Sequence, residues 1–122
     1  MKNFYHTDPC PIRDVLCRLS SKWGMLVLVT LKANEVMRFN DIQKSIGDIS
    51  QRMLTVTLRM LESDGLVERK VYAEVPPRVE YRLTSRGQSL MPYLEGLIDW
   101  AMDNMPDMIQ EREAASCGKI GS

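Results

Sequence analysis

Histidine is almost missing from this chain: His6 is the only one in 122 residues. Cysteine is scarce and odd in number, with Cys10, Cys17 and Cys117 and neither a Cys-x-x-Cys nor a paired-His spacing. That pattern excludes the usual zinc sites and a disulfide scaffold, so no metal is expected. Ordinary nucleophilic catalysis also lacks its parts, because no second histidine and no Cys-His-Asp grouping is present. A thiol enzyme at Cys10 would have no base to activate it, since His6 lies in a polar arm. The expectation is a protein that is not an enzyme and carries no cofactor.

Long apolar runs are missing too. None reaches the ~18 residues of a membrane span. The N-terminus, MKNFYHTDPCPIRD, has no apolar core of the signal-peptide kind. A cytoplasmic protein without a membrane segment is therefore expected. Net charge is absent as well, with 16 basic and 16 acidic residues. The charge is unevenly placed, however. Residues 38–86 hold Arg38, Lys44, Arg52, Arg59, Arg69, Lys70, Arg78, Arg82 and Arg86 against seven acids, a surplus of two. Residues 87–122 hold only Arg112 and Lys119 against six acids. An acidic C-terminal segment thus masks a mildly basic surface in the total, and non-specific DNA binding should be weaker than for a strongly basic protein.

What is present is organised around residues 39–69, FNDIQKSIGDISQRMLTVTLRMLESDGLVER. The stretch reads as a helix, a tight turn, a longer helix and a stop. The first helix is expected from about Asn40 to Ile46, with Asn40-x-x-Gln43 at capping-box spacing. Gly47 suits its exit. Ser50 can cap the next helix, Gln51 to Asp64, which Gly65 ends. Two helices joined by a short Gly-containing turn are the helix-turn-helix signature.

At ~100° per residue Leu54, Leu58 and Leu61 fall on one stripe of that second helix, which must face a core. Arg52, Val56, Arg59 and Ser63 lie opposite, with Gln51 and Thr55 on a flank. Such a face can read base edges: Arg matches guanine, Gln matches adenine, and Val or a Thr methyl touches a thymine methyl. The bland alternative is a solvated helix face, and the residues downstream weigh against it. After Gly65 the period becomes alternating. Residues 66–72, LVERKVY, and 78–84, RVEYRLT, read as a hairpin with Pro76 and Pro77 at its tip. A helix-turn-helix followed at once by a hairpin is a winged helix. Its main competitor is a winged-helix module used only for protein contacts, without operator specificity.

Helices flank this unit. Pro11 to Leu19 is expected to bury Ile12, Val15, Leu16 and Leu19. A helix from Lys22 to Leu31, capped by Ser20 or Ser21, should bury Trp23, Leu26, Val27 and Leu31. Residues 36–38 suit a very short strand. Thr84 or Ser85 can cap a last helix, with Ser85-x-x-Gln88 at capping-box spacing. It carries Leu90, Leu94, Leu97, Ile98, Ala101 and Met105 at helical intervals, and Pro92 should kink it or reset its start. Its apolar stripe is too long for so small a domain, so part of it is expected to meet a second subunit. The predicted fold class is α+β, mainly α: a winged helix-turn-helix domain with flanking N- and C-terminal dimerisation helices. The predicted division is an arm over residues 1–9, the domain over 10–113 and a disordered tail over 114–122.

CPIRDVL, SKWGMLVLVTL, the stretch 39–69, YAEVPPRVEYRLTSRG and LMPYLEGLIDWA, in this order, resemble the HxlR-type winged helix-turn-helix transcriptional regulators of bacteria. The resemblance implies a homodimer on double-stranded DNA with a palindromic operator. It implies that the helix 51–64 reads the major groove and that the wing 66–84 lies beside the minor groove or backbone. The DNA-contacting set is then Arg38, Asn40, Ser50, Gln51, Arg52, Thr55, Val56, Arg59 and Arg78. The dimer interface is Ile12, Leu16, Leu90, Leu94, Leu97, Ile98 and Ala101. Cys10 matches the cysteine through which several members sense electrophiles or oxidants. It precedes a helix N-terminus, with Arg13 one turn away, where a thiolate is favoured. The alternative for Cys10 is a small buried apolar residue.

Overall fold

The structure, a computed structural model, describes residues 11–121. The N-terminal arm, His6 and Cys10 lie outside the described residues. The elements are α1 (Pro11–Leu19), α2 (Lys22–Asn34), β1 (Val36–Met37), α3 (Phe39–Ile46), α4 (Gln51–Ser63), β2 (Val67–Tyr72), β3 (Arg78–Leu83) and α5 (Ser85–Gly121). The chain forms two compact units, Met1–Met91 and Pro92–Ser122.

In the first unit α2 is the central helix, packed against α3, α4, β1 and β3. Ser21 caps it, its hydroxyl accepting from the Gly24 N–H at 3.2 Å. Its buried positions are Gly24, Val27, Leu28 and Leu31. That is an i, i+3, i+4, i+7 stripe, rotated from the expected one. Leu26 is exposed, and Trp23 is half-buried with the Lys22 ammonium 4.4 Å from its ring centroid. In a helix this apolar all round, the sequence shows burial without its direction.

Helix α1 departs further from expectation. Val15 and Leu16 are 47% and 52% exposed, while Ile12 and Leu19 are half-buried. The amphipathic period is visible in the sequence, but among the described residues nothing covers that face. Beyond α2 the backbone turns at Glu35, whose φ of 59° and ψ of −66° are unusual for a residue with a side chain.

The core lies where the helix-turn-helix meets the sheet. Leu54, Leu58 and Leu61 are buried as expected, with Ile42, Ile49, Leu66 and Val67. The sheet is antiparallel in the order β1-β3-β2, with Met37 opposite Tyr81 and Val67 opposite Leu83. Tyr81 and Leu83 alternate inward from β3. This arrangement is a winged helix.

The first turn of α5 is capped by Thr84, one of the two residues expected there. The Thr84 hydroxyl accepts from the Gly87 N–H at 3.1 Å and donates to the Gly65 carbonyl, which joins the stop of α4 to the start of α5. Gln88 does not close a capping box; its amide oxygen accepts from Lys32 Nζ at 3.3 Å. Gly87 is required by space, since a Cβ there would collide with the Leu66 carbonyl oxygen.

In the second unit α5 runs on to Gly121 with Pro92 and Pro106 inside it, so Pro92 does not reset its start. It also passes the tail boundary expected at residue 114. Glu, Arg and Ala in EREAAS are sound helix formers, and no breaker precedes Gly118. Leu94 is buried, whereas Leu97, Trp100, Met102, Met105, Met108 and Ile109 are exposed. Among the described residues no helix is long and apolar enough to cross a membrane, and no group of His, Cys, Asp or Glu is placed to hold a metal ion.

Candidate nucleic-acid interface

The turn before α4 is locked by local bonds. Gly47 adopts φ 88° and donates its N–H to the Gln43 carbonyl at 2.9 Å. The Gln43 side-chain amide donates to the Ile49 carbonyl at 3.3 Å, so Gln43 serves the turn and not the expected capping box. Arg38 is the N-cap residue of α3 and makes no side-chain cap bond, which leaves its guanidinium outward. Asn40 is exposed on the first turn. Ser50 caps α4 as expected, its hydroxyl accepting from the Met53 N–H at 3.0 Å. That oxygen is therefore committed to the helix.

With α4 fixed by its leucines, the opposite face is set. Gln51, Arg52, Val56 and Arg59 are exposed, and Thr55 is half-buried with its hydroxyl donating to the Gln51 carbonyl at 2.9 Å. Among the described residues Arg38, Arg52 and Arg59 have no ion-pair partner. Val56 is 53% exposed between the two α4 arginines. The structure thus brings Arg52, Val56 and Arg59 onto one uncovered ridge, with Gln51 and Thr55 along its edge.

The wing is different. Arg82 faces Glu68 at 3.4 Å and Arg69 faces Glu62 at 3.8 Å. Arg78 stacks 4.0 Å from the Tyr72 ring centroid, with Glu74 at 3.4 Å and Glu80 at 3.7 Å. Its Nε is buried without a hydrogen bond, because the Glu80 contact is too long to be one. The expectation that Arg78 reaches a phosphate meets this engagement: the side chain is held against the hairpin by one ring and two carboxylates. The exposed tip is Val75, Pro76 and Pro77, none of them charged.

Of the residues expected at a subunit contact, Leu16, Leu97 and Ala101 are exposed, Ile12, Leu90 and Ile98 are half-buried, and Leu94 is buried in its own chain.

Two features escaped sequence reasoning. Arg18 at the end of α1 binds Asp64 and Ser63 at the end of α4. A cleft of about 220 Å³ opens beside α4, lined by Phe39, Thr55, Leu58, Arg59, Glu62, Arg69 and Tyr81. Burial pushes the Tyr81 phenol above its ordinary range. Glu62 adds to the shift, while Arg69 and Arg59 oppose it. Tyr81 points inward from β3, and neither its burial nor the charges around it were read from the sequence.

Residues 18–109 match the family model described as HxlR-like helix-turn-helix. A helix-turn-helix-type transcriptional regulator of Methanothermobacter thermautotrophicus, itself uncharacterized, is 50% identical over 91 residues, which are 75% of this chain and 69% of that protein. The uncharacterized regulator YtfH of Escherichia coli is 40% identical over 106 residues, 87% of this chain and 83% of that one. Among solved structures, the reduced form of the redox regulator HypR superposes with a TM-score of 0.75 at 36% identity, covering 82% of this chain and 98% of its own.

Proposed function

The chain belongs to the HxlR-like helix-turn-helix family of transcriptional regulators, and from that premise we propose that it acts as a homodimer on a palindromic duplex, with α4 of each protomer in a major groove. The observation that carries this reading is the ridge of Arg52, Val56 and Arg59, exposed and free of acidic partners among the described residues. Arg to guanine O6/N7 is the commonest specific contact, and Val56 offers a surface to a thymine methyl. Gln51 and Thr55 extend the reading edge, Arg38 and Asn40 lie at the start of α3, and Ser50 sets the angle of α4 by capping it. Arg78 holds the wing in shape. The chain works in the cytoplasm.

Support for the dimer comes from apolar side chains that the chain leaves uncovered. Leu16 on α1 and Leu97 on α5 are each 52% exposed. A second copy would remove such surface from water at roughly 25 cal/mol per Å². Recognition helices one DNA turn apart would lie ~34–36 Å from each other.

The test is selection from a randomised duplex library, followed by binding at several salt concentrations. The expected outcome is a two-fold symmetric site whose affinity falls with salt. Equal retention of all sequences, or binding only to proteins, would favour the interaction-module reading.

A finer reading makes the chain responsive to oxidants or electrophiles through Cys10. It is supported by the position of that residue just before α1 and by the similarity to HypR, a redox regulator. Operator affinity with and without diamide, in wild type and Cys10→Ser, tests it. Loss of the response in the variant is expected.

A further inference from the structure

We propose that the cleft beside α4 binds a small carboxylate with an apolar body, and that its occupant weakens DNA binding by engaging Arg59. The proposal rests on the reading of α4 as the DNA-reading helix. The first observation is Tyr81. It is only 9% exposed, and among the described residues its hydroxyl has no hydrogen-bond partner. The hydroxyl is not sealed in the core, because the phenol lines the cleft. Its oxygen is reachable by solvent rather than sealed in, so it presents a donor to whatever enters the cleft. Like any phenol it keeps its proton at neutral pH, and burial pushes it further in that direction.

The second observation is the charge. Arg59 has no ion-pair partner among the described residues, and Arg69 is held only by Glu62 at 3.8 Å, with both side chains at least 40% exposed. Two guanidiniums against one carboxylate leave the cleft a net positive charge. Planar donors of this kind match a carboxylate in pairs. The third is the rest of the lining. The Phe39 ring and Leu58 give the cleft an apolar side.

Size narrows the class. The 220 Å³ volume exceeds the ~30 Å³ share of one water and falls below the ~300 Å³ where drug-sized pockets begin. Nucleotides and cofactors are too large. A DNA phosphate could approach Arg59 from outside, but it has no body to fill the space against Phe39 and Leu58. An occupant bound to Tyr81 and Arg69 would draw Arg59 inward, and Arg59 cannot serve the cleft and a guanine at once. The coupling is reciprocal: DNA would weaken the anion by the same factor.

Benzoate is the probe. The full chain is titrated with it at constant ionic strength, by amide and side-chain NMR and by binding to the selected duplex. Saturable shifts at Tyr81, Arg69 and Arg59 are expected, with DNA affinity reduced about tenfold, a usual size for coupling between sites. Tyr81→Phe should bind DNA as wild type does and lose the benzoate effect. Should that variant fold poorly, Arg69→Gln serves, since its side chain is 49% exposed. Absence of saturable shifts, equal weakening in both variants, or the same effect from chloride alone would overturn the proposal. Inorganic phosphate acting as strongly as benzoate would also overturn it, by showing a bare anion contact. The NMR arm needs no duplex, so a failure to select DNA would strike the regulatory reading and leave anion binding measured.

Discussion

Arg18 holds Asp64 with a two-pronged grip: Nε to Oδ2 at 3.0 Å and Nη2 to Oδ1 at 2.9 Å, while the same Nη2 donates to Ser63 Oγ at 3.0 Å. The pair joins the last turn of α1 to the residue that ends α4, 46 positions away in sequence. Both side chains are about one-third exposed, so solvent screens part of the attraction. Bidentate geometry and the shared serine still lift it above an ordinary surface pair. A double-mutant cycle with Arg18→Ala and Asp64→Ala should give a coupling of about 1 kcal/mol in urea unfolding. A value near zero would show that the grip adds nothing in water.

Arg52→Ala and Arg59→Ala should each cost about 1–3 kcal/mol on the selected duplex and relax base preference at one position per half-site. Arg78→Ala should leave the salt dependence of binding unchanged, since its charge already faces Glu74 and Glu80. Fluorescence anisotropy across a salt series reads both. Unchanged affinity and base preference in both α4 variants would move the reading face elsewhere, and a flatter slope for Arg78→Ala would put that side chain on a phosphate.

Much of this surface was legible in the sequence. The leucine stripe of α4 has one solution on a helical wheel, and Ser50 and Gly47 have one use each at their positions. The orientation of α1 and α2 was not legible. Val15, Leu16 and Leu26 are as apolar as the residues that became core, and a pattern of apolar residues does not say whether the covering surface belongs to the same chain. The engagement of Arg78 was hidden for a different reason: Tyr72, Glu74 and Glu80 meet it only once the hairpin register pairs Tyr72 with Arg78.

Leu97→Asp should convert the dimer to monomers and abolish tight DNA binding, with little change in the winged helix itself. Leu16→Asp should act in the same direction. Sedimentation velocity with circular dichroism checks this. A wild-type monomer at high concentration, binding one half-site tightly, would remove the basis for both variants.

Glu35→Gly should raise stability by about 1 kcal/mol. At φ 59° and ψ −66° a Cβ is costly, and glycine tolerates the region. The gain is partly offset by the larger entropy of glycine in the unfolded chain. Thermal melts at several denaturant concentrations would resolve it. A loss of stability would mean that the Glu35 side chain contributes more than its backbone conformation costs.

Gly87→Ala should destabilise by about 1–3 kcal/mol, the usual cost of forcing atoms into a filled space. The added methyl meets the Leu66 carbonyl oxygen, a backbone atom that cannot swing aside. Ser89→Ala, two residues on and exposed, is the control and should stay near neutral. Urea midpoints for the two variants make the comparison.

The internal neutralisation of the wing bears on how such a protein would find its site. Arg69, Arg78 and Arg82 each sit beside a carboxylate, so the wing itself offers few free cations to displace condensed counterions from arbitrary DNA. Residence on unrelated sequence is then brief, and one-dimensional sliding contributes little to the search. Arrival would depend on repeated collisions from solution, and on the proposed reading the fraction of time spent bound would be set by base pairs in register with α4. A regulator built this way would give up speed of search for a low background of false occupancy, and its occupancy would change less with salt than it would with a basic wing.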